Sequence, residues 1–521
     1  MIIFRYIGKL STGLLFLFLI SVTGCTKNFD ALNTPPDKLI ANKADAGLLG
    51  QALAQSQYEG MFGYAFTWQV AQNLYSDLYA QYFATVVNYF DSDQFLEVKD
   101  WSKPVWNRFY GIAAPQMFFV EKTARDNNME IEYAIAKIWK VALYHRITDY
   151  WGPIIYSQFG NEQTSVAYDA QNVIYTDFFK LLDEAATTLS QATSSINAFS
   201  KSDLLYKGDV DQWRKFANSL RLRLAIRIAY VDPAKAKQEA EKAFAGGVIT
   251  DNADNANVAT TAVSRHPMAT VIEWDEFRMS ATMESVLKGY NDPRLPVFFR
   301  EAVSGGGYKG ARNGMRQSDR DLDVNLYSAP GLQWFDIAKG GSNPPMRVLS
   351  ASEVYFLRAE GALRGWNMGG TPMELYNDGI RASLSERTEV TSPEIEAYVS
   401  GSNTPVALSD AWNTPAMSDI PVAYLSGGGF EKQLEQIITQ KWIALYPDGW
   451  EAWAERRRTS YPKGYPIFES LNPDVSENQL MRRLTFTSGE TDNNLEAVEA
   501  ARGLLGGPDN NATKLWWDAR N

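Results

Sequence analysis

The chain has 521 residues, with 61 acidic side chains against 50 basic ones and a formal net charge of −11. That balance excludes nucleic-acid binding through a basic surface, which works by displacing counterions with Lys and Arg, and excludes electrostatic docking on anionic lipid. One Cys permits no internal disulfide and two His offer no transition-metal spacing, so stability rests on apolar burial in a chain that is 13% aromatic.

In chain order, the first element is a targeting segment. Arg5 and Lys9 precede an apolar run at 14–20 that falls short of the about 20 residues a membrane span needs. The order Val22-Thr23-Gly24-Cys25 resembles a bacterial lipobox. Residues 1–24 are therefore expected to be cleaved as a lipoprotein signal peptide, and Cys25 to carry the lipid. A single acyl chain binds membranes only marginally, so a durable anchor carries two or more. Residues 25–42 read as a polar tether stiffened by Pro35-Pro36, and 43–521 as one domain.

Helix-period apolar spacing predicts helices over 46–58, 65–89, 104–127 and 129–148. The segment "DVDQWRKFANSLRLRLAIRIAYVDP" is the clearest helix, with Asp209 or Asp211 as its cap and Trp213, Phe216, Leu220, Leu224 and Ile228 on one face. Arg214, Arg221, Arg223 and Arg227 sit off that stripe, as a solvated face or as structural ion pairs rather than a ligand site. Further helices are predicted over 352–364, 372–385, 431–446 and 450–459. Taken as pairs (104–148, 172–228, 352–385, 431–459), they look like degenerate tetratricopeptide units, whose repeat is about 34 residues. Residues 252–345 interrupt the pairs with turn-rich stretches such as "SGGGYKGARNG" and "GGSNPP". Binding residues tend to collect on such loops.

The usual catalytic signatures are missing. His145 and His266 stand apart, no GxSxG elbow or GxxxxGK[ST] loop occurs, and the triple glycines at 305–307 and 427–429 lack the lysine that would cradle phosphate. His145 falls in a helical stripe and is expected to be a satisfied interior histidine. "DSD" at 91–93 and "DNADNAN" at 251–257 hold calcium-type side chains without the Gly and Glu of an EF-hand, and loop polarity accounts for them. No metal or cofactor is called for. A glycosidase carboxylate pair cannot be picked out by spacing, which leaves a lipid-anchored glycoside hydrolase as the alternative function. What remains is aromatic surface that can stack on sugar C–H faces while polar groups bond hydroxyls, or can hold a peptide. The ligand-binding candidates are Asn88, Tyr89 and Asp91 after the second helix, and Trp274, Arg278, Tyr308 and Trp334, with Phe277, in the loop-rich part.

Several segments together resemble one family. "TGCTKNFDALNTPP", "DLLYKGDVDQWRKFANSLRLRLAIRIAYVDP", "NDPRLPVFF", "SEVYFLRAEGALRGW", "IITQKWIALYPDGWEAWAERRRTSYP" and the closing "LWWDAR" are similar to motifs of the SusD/RagB-type outer-membrane lipoproteins of Bacteroidetes. The resemblance implies a mostly α fold of about four tetratricopeptide-like helix pairs with an irregular, loop-rich ligand-binding part. It implies a lipid-anchored protein on the outer face of the outer membrane. Such a protein acts as the lid of a SusC-type TonB-dependent transporter and captures an oligosaccharide, or a peptide, without altering it. Motif residues such as Trp213, Asn218, Arg221, Asp292, Arg294, Glu360, Trp453 and Arg457 are implied to be framework rather than ligand contacts.

Overall fold

Helix caps and apolar stripes place most of the chain. The computed structural model describes residues 46–194, 197–320, 323–334, 341–408, 410 and 414–520; the signal peptide, Cys25 and the tether lie outside the described residues. The helices include α1 (Ala46–Gly60), α2 (Ala65–Trp68, continued as a π-helix over Gln69–Asp77), α3 (Lys99–Arg108), α4 (Ala114–Asp126), α5 (Glu130–Trp151), α6 (Gln171–Ser190), α7 (Val210–Arg227), α8 (Pro233–Ala245), α9 (Met268–Val271), α10 (Ala281–Gly289), α11 (Ala351–Leu363), α12 (Pro372–Arg387), α13 (Gly429–Leu445) and α14 (Gly449–Thr459). Pairs α4/α5, α6/α7, α11/α12 and α13/α14 pack side by side, as the sequence pairs predict. The caps explain the starts. Asp209 accepts from Gln212 N at 2.9 Å at the head of α7, and Thr371 with Glu374 forms a capping box before Pro372 on α12.

One predicted helix is cut short. Residues 65–89 do not form one helix: the helical run ends at Tyr79, just past the π segment, Gln81 turns at φ 58°, and Phe83–Thr85 becomes strand β1. The aromatic and β-branched residues after Gln81 favour a pleated, half-buried partner over another helical turn. That partner is β3 (Phe277–Met279), paired antiparallel with Ala84 opposite Arg278. A second antiparallel pair joins β2 (Ala256–Val258) to β4 (Met346–Leu349). Both pairs draw strands from the loop-rich part, so that part is tied to the helical scaffold through β1 and through the strand leading into α11.

The arginine row of α7 is not a solvated face. Arg221, Arg223 and Arg227 are buried, and each is paired. Arg223 grips Glu353 of α11 through two hydrogen bonds of 2.7 and 2.6 Å. Arg227 reaches Glu455 of α14 at 2.7 Å and also pairs with Glu451. Arg458 holds Glu360 at 2.7 and 2.6 Å, and the Lys441 ammonium stands 3.5–3.8 Å from Glu353, Glu451 and Glu455. Four cations and four carboxylates thus bolt α7, α11, α13 and α14 together. His145 is interior as expected, its Nδ1 3.1 Å from Val141 O.

Asp77 is the exception to this pairing. Its Oδ1 accepts from Gln72 at 3.2 Å and its Oδ2 has no hydrogen-bond partner among the described residues. Burial pushes its carboxyl up to about 8, against the opposing bonds from Gln72 and Asn73. A raised acid pKa favours the native state while the group stays protonated. This contribution is full below the unfolded value, falls as pH rises, and is gone above pH 8. Asp77→Asn is therefore expected to raise stability at pH 9 by a few kcal/mol, on the order of one pKa unit per 1.4 kcal/mol, and to give a shrinking gain towards pH 4. Urea unfolding at the two pH values measures it.

Candidate functional site

The exposed aromatics are few against a heavily aromatic core, and one of them, Tyr89, is bonded to the Glu276 carboxylate. Glu276 immediately precedes β3, and its backbone oxygen accepts from Val86 N just past β1. Its Oε1 accepts from the Tyr89 hydroxyl at 2.7 Å and its Oε2 from Gln69 Nε2 at 2.8 Å. Tyr89 is 57% exposed. Trp274, two residues before Glu276 at the end of a 3-10 turn, is 41% exposed. Phe66, one helical turn before Gln69, is 51% exposed.

The floor under these rings is rigid. Phe90 packs edge-on to Tyr89 at 4.7 Å and stacks on Phe277 at 5.7 Å, so the loop after β1 is clamped to β3 by ring contacts as well as by the strand ladder. Desolvation and the bond to Glu276 push the Tyr89 phenol up to about 12, so it remains a neutral donor through the physiological range. The carboxylate keeps lone pairs beyond the two bonds it accepts. The site can present the Tyr89 ring and an oriented acceptor to a ligand with C–H faces and O–H or N–H donors.

The sequence candidates divide. Tyr89 is exposed and bonded to Glu276, and Trp274 is exposed two residues before Glu276 in the chain. Asn88 is exposed beside Tyr89, and Asp91 is half-buried at the head of the 3-10 turn Asp91–Gln94. Arg278 faces inward: its guanidinium donates to the backbone oxygens of Val324, Phe277 and Asp275 at 3.0, 2.9 and 3.3 Å and pairs with Asp275. It braces the loops and offers no free donor fork to the surface. Trp334 is 1% exposed and lies 4.9 Å from the His266 ring, within the protein rather than on the face. Tyr308 is half-buried on the loop after Gly305–Gly307 and makes no ring contact with Tyr89 or Trp274 among the described residues. Nothing in the local sequence marks Phe66, Gln69 and Glu276 as a group; the i, i+3 spacing of Phe66 and Gln69 puts both on one side of α2, where Phe66 is exposed and Gln69 is buried.

The polar loops serve the fold. Asp93 accepts from Thr85 N at 3.2 Å and from Asn313 at 2.7 Å, Asp251 caps the 3-10 turn after it, and Asp254 pairs with Lys215 at 3.0 Å. No group of three or more His, Cys, Asp or Glu side chains among the described residues could hold a metal ion.

A family model described as Susd and RagB outer membrane lipoprotein matches residues 31–518. The chain belongs to the SusD-like family of outer-membrane lipoproteins. Solved SusD-like structures agree over almost their whole length. A chitin-binding SusD homologue from Flavobacterium johnsoniae is 35% identical, with 91% of this chain and 99% of that one covered at a TM-score of 0.84. A SusD homologue from Bacteroides uniformis is 34% identical, with 92% and 100% covered at 0.82. A further structure, named as a chitin-binding protein, is 28% identical, with 91% and 100% covered at 0.75. No curated protein sequence matches the chain. The SusD-like motif residues are framework here: Trp213 donates to Asp203 at 2.8 Å, Arg294 makes two bonds to Asp292 at 2.9 and 2.7 Å, and Arg457 lies 3.7 Å over the Trp453 ring. No helix among the described residues is long and apolar enough to cross a membrane.

Proposed function

We propose that this SusD-like lipoprotein captures an oligosaccharide on the Tyr89–Trp274 face and delivers it unaltered to a SusC-type TonB-dependent transporter, for which it serves as the lid. The observation that carries the reading is the exposed Tyr89 ring bonded to Glu276, with exposed Trp274 and Phe66 close in sequence to Glu276 and its partner Gln69, in a chain whose other large aromatics are mostly packed. Indole and phenyl faces stack on pyranose C–H surfaces, and Glu276 accepts from hydroxyl or acetamido N–H groups. The chitin-binding relative makes N-acetylglucosamine oligomers the first ligands to try. Lipid on Cys25 and the 25–42 tether hold the protein at the outer face of the membrane while leaving it free to swing. A rigid stack of helix pairs gives the transporter a broad surface to meet, and ligand between lid and barrel favours the closed state by its differential affinity.

The test is calorimetric titration of the purified protein with chito-oligosaccharides, other oligosaccharides and peptides, followed by analysis of the recovered ligand. Saturable binding of a glycan with no cleavage products supports the reading. Cleavage would establish the hydrolase alternative, and binding of peptides alone would transfer the site to that ligand class.

A further inference from the structure

A separate pocket of about 50 Å³ is lined by Trp68, His266, Trp334 and three arginines, with Pro344 and Pro345 at its solvent side. A single water needs roughly 10–15 Å³ by this measure, so the space suits a small ion or a few waters and no sugar ring. Its wall is rich in donors. Arg146 of α5 and Arg387 at the end of α12 are nearly buried, with side chains 6% and 10% exposed.

Neither is well satisfied by the protein. Arg146 stands 3.8 Å from Asp448 and 4.7 Å over the Trp450 ring, and its one hydrogen bond runs to the Met61 sulfur at 3.5 Å. Arg387 donates to Tyr446 O at 3.1 Å and comes no nearer than 3.6 Å to Glu386. Both carry an Nε–H without a hydrogen-bond partner among the described residues. Arg347, the third guanidinium, is already committed to Glu386 through two bonds.

His266 adds another donor. Its Nδ1 accepts from Met268 N at 3.2 Å, which places the proton of the neutral ring on Nε2. Burial, then Arg387, holds this ring down at about 3, so it is uncharged. The carboxylates facing the arginines are Asp448 and Glu386; Asp448 is also the N-cap of α14 and shares its charge with that helix end. Asp77, bonded to Gln72 of the same wall, is protonated at neutral pH. Among the described residues, three guanidinium groups against two ionised carboxylates leave one positive charge in excess.

Leaving a buried cation unpaired is costly, and one small anion would balance the charge and use the spare donors. We propose that this cavity binds a small monovalent anion, such as a halide or formate, between Arg146, Arg387 and the His266 Nε2–H. None of Phe66, Gln69, Tyr89, Trp274 and Glu276 lines this pocket.

Bromide gives the direct test. Crystals of the protein grown in sodium bromide are expected to show an anomalous peak between Arg146 and Arg387, and absence of bromide from the cavity overturns the proposal. In solution, chloride or formate is expected to raise the unfolding temperature saturably by about 1–3 °C over gluconate at equal ionic strength. Arg387→Gln should flatten that response, while Arg381→Gln on the exposed side of the same helix should keep it. Superimposable chloride and gluconate titrations, or a full response in Arg387→Gln, also overturn it.

Discussion

Trp274→Ala is expected to weaken oligosaccharide binding about 10- to 100-fold while the protein stays folded. Aromatic anchors at the centre of a contact surface typically carry about 2 kcal/mol or more of binding energy, and each 1.4 kcal/mol is tenfold in affinity. Trp274 ends a short 3-10 turn with its ring 41% exposed, so its truncation removes ligand contact and little packing. Tyr89→Ala should act in the same direction. Tyr89→Phe should cost less, because the ring stays on its Phe90 and Phe277 floor and only the bond to Glu276 is lost. Trp334→Ala should behave in the opposite way: emptying the volume of a fully buried indole costs about 3–5 kcal/mol of stability. Titration calorimetry beside urea unfolding separates the two classes. Unchanged affinity in both Trp274→Ala and Tyr89→Ala would remove the glycan from this face.

The second large effect falls on the buried ion cluster. Glu455→Gln is expected to destabilise the fold by about 3–5 kcal/mol, because it leaves Arg227, Arg458 and Lys441 under-compensated in the interior. Glu396→Gln, in an exposed pair with Arg381, should cost at most about 1 kcal/mol, although that pair is just as close at 2.7 Å. Geometry is alike in the two pairs; solvent decides the difference. The pH dependence has a definite sign. Burial alone would raise the Glu455 carboxyl, but Arg458, Lys441 and Arg227 outweigh it and hold the group well below the usual carboxylate range. Its stabilisation is present above the unfolded value of about 4.5 and is lost as pH falls below it. The gap between Glu455→Gln and the parent should therefore be widest near neutral pH and narrow in acid, as denaturant unfolding would read. A constant gap across that range would mean that the carboxylate charge is not what binds α7 to α14.

How much of this was legible depended on the range of the signal. The α7 helix could be read with its cap and its apolar face because Asp209, Trp213 and Phe216 act on one another within two turns. Its arginines could not be placed from the same stretch: Arg223 finds Glu353 at a separation of 130 residues and Arg227 finds Glu455 at 228. The helix read over 65–89 failed for a related reason. The aromatic and β-branched residues after Gln81 lean towards strand, but Phe83–Thr85 becomes one only because Phe277–Met279 arrives beside it. Among the site candidates, residue type alone could not separate Trp274 from Trp334. Both are indoles in turn-rich segments, one presented to solvent and the other enclosed with His266.

By itself, the sequence determined the helix pairs, the loop-rich interruption, the acidic balance and the family motifs, because caps, periodicity and composition are properties of short windows. Only the tertiary structure decided which aromatics form a surface, which arginines pair and which are left with spare donors. Those outcomes depend on solvent exclusion and on charges brought together from distant segments, and neither is encoded in any one stretch of chain.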